Sequence, residues 1–179
     1  MGDEAILARI RGGDRAAFGE LVERHQEAVF RVVRNLLPRG ADCEDLAQDV
    51  FLTAYTRLAS FAPARASFRT WLLTIARNAC LNALKKRRPL LTDFSGESPH
   101  PADPGSPGDD LERAELHRRL DAALEQLPFE QRTAFVLAEL EGLSLEEVGR
   151  VEDVPVGTVK SRLGRAREKL RLALADLVE

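Results

Sequence analysis

Six basic residues, Lys160, Arg162, Arg165, Arg167, Lys169 and Arg171, stand in the stretch Val156 to Arg171 against one acid, Glu168. The whole chain carries a formal charge of −3, so this positive charge is local. A helix charged in this way, if it enters a groove, neutralises the phosphates of DNA. On a helical wheel Val159, Leu163, Ala166 and Leu170 share one face. Ser161, Gly164, Arg165 and Glu168 lie opposite, with Lys160, Arg162, Arg167 and Lys169 on the flanks. Gly157 and Thr158, at the helix start, offer backbone and hydroxyl donors to a phosphate. An ordinary solvated helix face would explain the charge by itself. The context favours DNA. Ser144 with Glu147 forms a capping-box pattern opening a short helix to about Val151, and the turn Glu152 to Pro155 leads into the basic helix. That is helix-turn-helix spacing, in which the second helix enters the major groove.

A second basic region runs from Arg65 to Arg88. It holds Arg65, Arg69, Arg77, Lys85, Lys86, Arg87 and Arg88 and no acid. Phe61, Phe68 and Trp71 are interleaved with it, and aromatics beside positive charge suit unstacked bases. Phe68 and Trp71 at helical spacing are individually more often core residues than base-stacking ones. Asn78 and Asn82 share a helical face and have the chemistry to bond base edges, although such asparagines usually face only solvent. A third region has the opposite sign: Asp42, Glu44, Asp45 and Asp49 with Gln48. These acids either complement a helix N-terminus or form a docking face for a basic partner. No histidine, lysine or metal-ligand set accompanies them. His25, His100 and His117 are scattered and there is no glycine-rich phosphate loop. Catalytic residues, a metal and a cofactor are therefore not expected.

The elements that must hold these residues read as helices throughout. A short helix covers Glu4 to Ile10. Asp14 is a candidate cap for a helix with the stripe Phe18, Leu21, Val22, His25, Val29, Val32, Val33 and Leu36, ended by Pro38 to Gly40. Asp42 opens a helix to about Ala59 with Leu46, Val50 and Leu58 inward. After a loop, Ser60 to Ala66, Ser67 caps a helix through Arg88. Pro89 to Asp110 then holds five prolines, three glycines, five acids and no Lys or Arg. Such a stretch buries too little apolar surface to order itself, and is read as a flexible acidic linker. Beyond it come Leu111 to Leu127, a break at Pro128, and Phe129 to Glu141 closed by Gly142. The fold class is all-α: two small helical domains, 1–88 and 111–179, joined by the linker 89–110. No apolar run approaches the ~20 residues of a membrane span, and no secretory signal is expected. Cys43 and Cys80 are far apart, and a reducing cytoplasm fits them better than a lone disulfide.

These regions, in this order, resemble the extracytoplasmic-function (ECF) branch of bacterial sigma factors. Phe18 to Leu37 is similar to the family's region 2.1, and Asp42 to Tyr55, DCEDLAQDVFLTAY, to region 2.2. Phe68 to Arg88, FRTWLLTIARNACLNALKKRR, resembles regions 2.3 and 2.4. Leu127 to Leu143 and Val154 to Leu170, VPVGTVKSRLGRAREKL, resemble region 4. The resemblance implies a subunit that binds core RNA polymerase and directs it to promoters. Asp45, Leu46, Gln48, Asp49 and Phe51 would dock on the clamp coiled coil of the largest subunit, and the polymerase flap would be a further partner. Phe61, Arg65, Arg77, Asn78, Asn82 and Lys85 would take the opened −10 element, with an extruded base at the loop Ser60 to Ala66. Lys160, Ser161, Gly164 and Arg165 would read the −35 element, with Gly157, Thr158, Arg162 and Arg167 on phosphates. A separate anti-sigma factor would restrain it, in the cytoplasm or near the membrane. The chain departs from the family at Glu152, where many relatives carry an apolar residue, and at Gly164, a base-reading position with no side chain. Asp153 replaces a glycine in the turn and tolerates the left-handed backbone such a turn needs. Fully extended, the linker would reach roughly 70 Å, about two turns of duplex.

Overall fold

The computed structural model describes residues 2–38, 41–87 and 109–175. Helix α1 (Asp3–Arg11) has acids in its first turn and arginines in its last, matching the helix dipole. Asp14 caps a 3₁₀ turn, Arg15–Ala17, that runs into α2 (Phe18–Leu36). The predicted α2 stripe is buried through Phe18, Leu21, His25, Val29, Val32, Val33 and Leu36. Helix α3 (Cys43–Thr56) is capped by Asp42, whose carboxylate accepts from the Asp45 amide at 3.0 Å. A 3₁₀ turn (Leu58–Ser60) and a loop lead to α4 (Phe68–Arg87), where the Ser67 hydroxyl accepts from the Thr70 amide at 3.1 Å.

The second half begins with α5 (Asp109–Glu125), so Asp109 and Asp110, read as linker, open a helix. The rest of the expected linker lies outside the described residues. Helix α6 (Phe129–Phe135) does not continue as expected to Glu141. It widens into a π turn, Val136–Leu140, in which the Glu141 amide bonds the Val136 carbonyl at 3.0 Å. Gly142, at φ +66°, then reverses the chain. Helices α7 (Leu145–Glu152) and α8 (Val156–Ala173) follow.

The sequence pictures two domains on a string. In the structure the halves share a core. Val136, Leu137, Leu143, Val148, Val151 and Val159 belong to the same buried cluster as Val29, Val32, Leu72 and Leu73. Helix α4 packs on α7, and α2 packs on the π turn, α5 and α6. A smaller cluster, Ala123, Leu124, Leu127, Ala166 and Leu170, joins α5 to α8 on the far side. Arg132, buried, fastens the halves: it donates to the carbonyls of Glu125 at 2.7 Å, Leu127 at 3.2 Å and Leu36 at 3.4 Å. Its burial pushes the guanidinium pKa below its ordinary value.

Candidate nucleic-acid interface

The basic helix α8 is mounted as its apolar stripe requires. Val159, Leu163, Ala166 and Leu170 are buried, while Lys160, Ser161, Gly164 and Arg165 are exposed. The mount is the capping box: the Ser144 hydroxyl accepts from the Glu147 amide at 3.2 Å, and the Glu147 carboxylate accepts from the Ser144 amide at 2.9 Å. Those hydrogen bonds hold the Glu147 carboxyl below its ordinary pKa. Asp153 closes α7 in the left-handed region at φ 55°, ψ 49°, as anticipated for this turn. Gly149 keeps α7 close to the turn: a Cβ there would stand 2.9 Å from the Val154 carbonyl oxygen.

The charges on α8 divide. Arg167 pairs with Glu139 and Arg171 with Glu168. Arg162 was expected at a phosphate. Instead its guanidinium donates at 2.9 Å to Glu152, whose side chain is fully buried. Burial pushes the Glu152 carboxyl up, opposed by Arg162 and Arg77. Glu152 at an apolar position has therefore captured Arg162. Gly164 opens onto empty space, with nothing within 4 Å of where a Cβ would stand. Gly157 is likewise open, whereas the Thr158 amide bonds the Pro155 carbonyl at 2.9 Å, leaving its hydroxyl as the donor.

On α3, Asp45, Gln48 and Asp49 are exposed and Leu46 is half-buried. Phe51 is only 9 % exposed and packs in the core, so its ring is not available to a partner. The apolar residue on the acidic face is Leu52, 62 % exposed, with Tyr55 one turn on. One helical position rotates a side chain by about 100°, and Phe51 is the neighbour that the core takes.

Of the residues expected at opened DNA, Arg65, Asn78, Asn82 and Lys85 are exposed. Phe61 is buried, with ring centroids 5.6 Å from Phe68 and 5.3 Å from Trp71. This places it in an aromatic cluster under the loop and not on its surface. Arg77 is half-buried, donates to the Asn78 side-chain oxygen at 3.0 Å and lies over the Phe129 ring at 5.5 Å. The Arg65 carbonyl accepts from Arg150 of α7 at 3.2 Å.

Sequence reasoning missed Glu141. Its side chain is fully buried between the halves and held by Arg31 at 2.8 Å and Arg69 at 2.8 Å. The signal was available: an acid at a helix C-terminus opposes the dipole and demands a cationic partner from elsewhere. Among the described residues no group of His, Cys, Asp and Glu is arranged to hold a metal ion, and no helix is long and apolar enough to cross a membrane.

The architecture is two helical halves, one carrying an exposed acidic helix face and the other a basic helix-turn-helix. The family description "Sigma-70 region 2" matches residues 21–89, and "Sigma-70, region 4" matches residues 117–170. The chain is 36 % identical to the ECF RNA polymerase sigma-E factor of Haemophilus influenzae, over 98 % of this chain and 97 % of that one. It is 33 % identical to the ECF RNA polymerase sigma factor SigW of Bacillus subtilis, over 96 % of each. Among solved structures it resembles CnrH in complex with the cytosolic domain of CnrY (30 % identity, TM-score 0.73, 97 % of both chains). It also resembles RpoE of Bartonella quintana in complex with the anti-sigma factor NepR (27 % identity, TM-score 0.74, 88 % of this chain and 96 % of that one). The chain belongs to the ECF sigma factors of the sigma-70 family.

Proposed function

We propose that this protein is a promoter-specificity subunit that binds core RNA polymerase, directs initiation through −10 and −35 elements, and is restrained by an anti-sigma factor. The observation that carries this is one chain holding both a mounted helix-turn-helix with an unobstructed reading face and an exposed acidic face on α3. A stand-alone DNA-binding regulator has no use for the second. The division of labour is 1–88 for polymerase and the −10 element, 89–110 for the connection, and 111–179 for the −35 element. Asp45, Gln48, Asp49 and Leu52 make the polymerase contact, with Leu52 in the place first given to Phe51. Lys160, Ser161 and Arg165 read the −35 element, and Asn78, Asn82 and Lys85 approach the opened −10 strand. The protein performs no covalent chemistry of its own, since polymerase supplies it. It works in the cytoplasm, where polymerase and promoter are. Anti-sigma restraint is supported by the similar structure of the sigma factor RpoE, which is held there with the anti-sigma factor NepR.

The test is run-off transcription by purified core polymerase on fragmented genomic DNA of the source organism, with and without this protein. Discrete new starts that require it are expected. No new starts from a polymerase shown to be active would replace this reading with that of a regulator binding duplex DNA alone.

A further inference from the structure

The seam between the halves has a consistent polarity of charge. In its ion pairs the first half supplies guanidiniums and the second half carboxylates, while Arg132 and Arg150 of the second half donate across it only to main-chain carbonyls of the first. Arg31 of α2 reaches Glu141 with Nε at 2.8 Å from Oε1 and Nη2 at 3.2 Å from Oε2. Arg69 of α4 places Nη2 2.8 Å from both the Glu141 carboxylate and its main-chain oxygen. The Thr70 hydroxyl donates to Glu147 at 3.1 Å. Arg77, also on α4, has a buried Nε with no hydrogen-bond partner among the described residues, and the facing Glu152 has an Oε2 in the same condition. Helix α4 thus points its arginines at acids of α6 to α7.

A carboxylate gripped by two guanidiniums from different helices has the geometry in which arginines hold a phosphate. We infer that Glu141 occupies a phosphate-binding site of the first half, so that Arg31 and Arg69 hold the protein closed in the free state and take the DNA backbone once the halves part. The inference rests on the proposed role of α4 at the opened promoter strand. It adds Arg31 and Arg69 to the DNA-contacting residues and gives the closed form a cause: Glu141 and DNA compete for the same cations. Closing and −10 capture then exclude one another. The reading face of α8, by contrast, remains open in both states.

The test uses the full chain in two measurements: small-angle X-ray scattering for its dimensions, and fluorescence anisotropy with a labelled (dT)20 oligonucleotide across a salt series. The wild-type described halves, packed together, predict a radius of gyration near that of a compact domain, about 15 Å. Glu141→Gln should expand the protein and tighten (dT)20 binding. It should also steepen the dependence of log K on log salt by about 0.7 for each arginine released. Adding Arg69→Gln to that variant should remove about 0.7 of the gain. The pair Arg31→Gln with Arg69→Gln carries the test if Glu141→Gln does not fold, and should expand the chain without any gain in oligonucleotide binding. Expansion of Glu141→Gln with unchanged (dT)20 affinity would overturn the competition. Unchanged dimensions in both Glu141→Gln and the arginine pair would overturn the latch. Either result leaves the sigma reading untouched, because that is decided by run-off transcription.

Discussion

Helices α4 and α8 are both rich in arginine, yet they sit in opposite circumstances. On α8 the residues proposed to read bases, Lys160, Ser161 and Arg165, face solvent, because Val159, Leu163, Ala166 and Leu170 supply an apolar stripe for the opposite side. On α4 two arginines are turned into a seam, Arg69 onto Glu141 and Arg77 onto Phe129. The difference teaches that charge identifies a nucleic-acid helix, while its availability depends on what packs across from it. A basic helix packed chiefly on its own half, as α8 is on α5, α6 and α7, keeps its charged face free; one that also serves as a surface for the other half does not.

The largest expected effect separates both helices from the polymerase face. Reversing Asp45 and Asp49 to Lys should abolish association with core polymerase in sedimentation. These are exposed positions, so unfolding stability should stay within about 0.5 kcal/mol. Retained association would remove α3 from the docking role.

Next is the seam itself. Leu137→Ala empties a fully buried site in the core that both halves share, and should cost about 2–5 kcal/mol. The only tryptophan, Trp71, lies in the other half. In urea, Trp71 fluorescence should follow the loss, because a shared core melts as one unit. A Trp71 transition indifferent to Leu137→Ala would show the halves to be independent.

The reading face comes third. Arg165→Ala should weaken −35 duplex binding by about 1–3 kcal/mol if it makes a bidentate base contact, with the thermal midpoint unchanged. Arg162→Ala should behave the other way, costing stability by orphaning the buried Glu152 and affecting DNA less. Equal DNA losses in the two variants would return Arg162 to the phosphate contacts.

The smallest effects concern the two acids of α7. Glu147 is held below the ordinary glutamate value of 4.5 by the Ser144 cap, so its contribution is full above that pH and lost as pH falls through its lower folded value. Glu152 is held above 4.5 by burial, so its contribution is full below that pH and lost as pH rises through its higher folded value. Stability profiles of Glu147→Gln and Glu152→Gln against pH should therefore deviate from wild type with opposite slopes. Slopes of the same sign would mean that the Arg162 pairing, not burial, governs Glu152. Ser144→Ala should cost about 1 kcal/mol, read from the same melts.

Where local chemistry decides, the sequence was legible. Asp14, Asp42, Ser67 and Ser144 all cap helices by accepting main-chain amides nearby, and each acts within three residues of itself. The stripe on α8 and the turn at Asp153 are of the same kind. The π turn after α6 was not legible, because Val136 to Leu140 has no residue that disfavours an ordinary helix and the extra residue is accommodated by packing on α2. Nor was the choice of Phe51 over Leu52 for the core, since two adjacent apolar residues on a helix offer alternative inward positions.

The amino-acid order by itself determined the helices, their caps, the acidic face of α3, the mounting of α8 and the family to which the chain belongs. These rest on contacts between near neighbours and on motif spacing, and both are written along the chain. Tertiary structure alone decided that the halves close on one another, that Glu141 sits between Arg31 and Arg69, and that Glu152 takes Arg162. In the seam pair, Arg31 and Glu141 are 110 positions apart. A buried carboxylate is stable only where cations reach it in three dimensions, and no periodicity in the sequence records which cations those are.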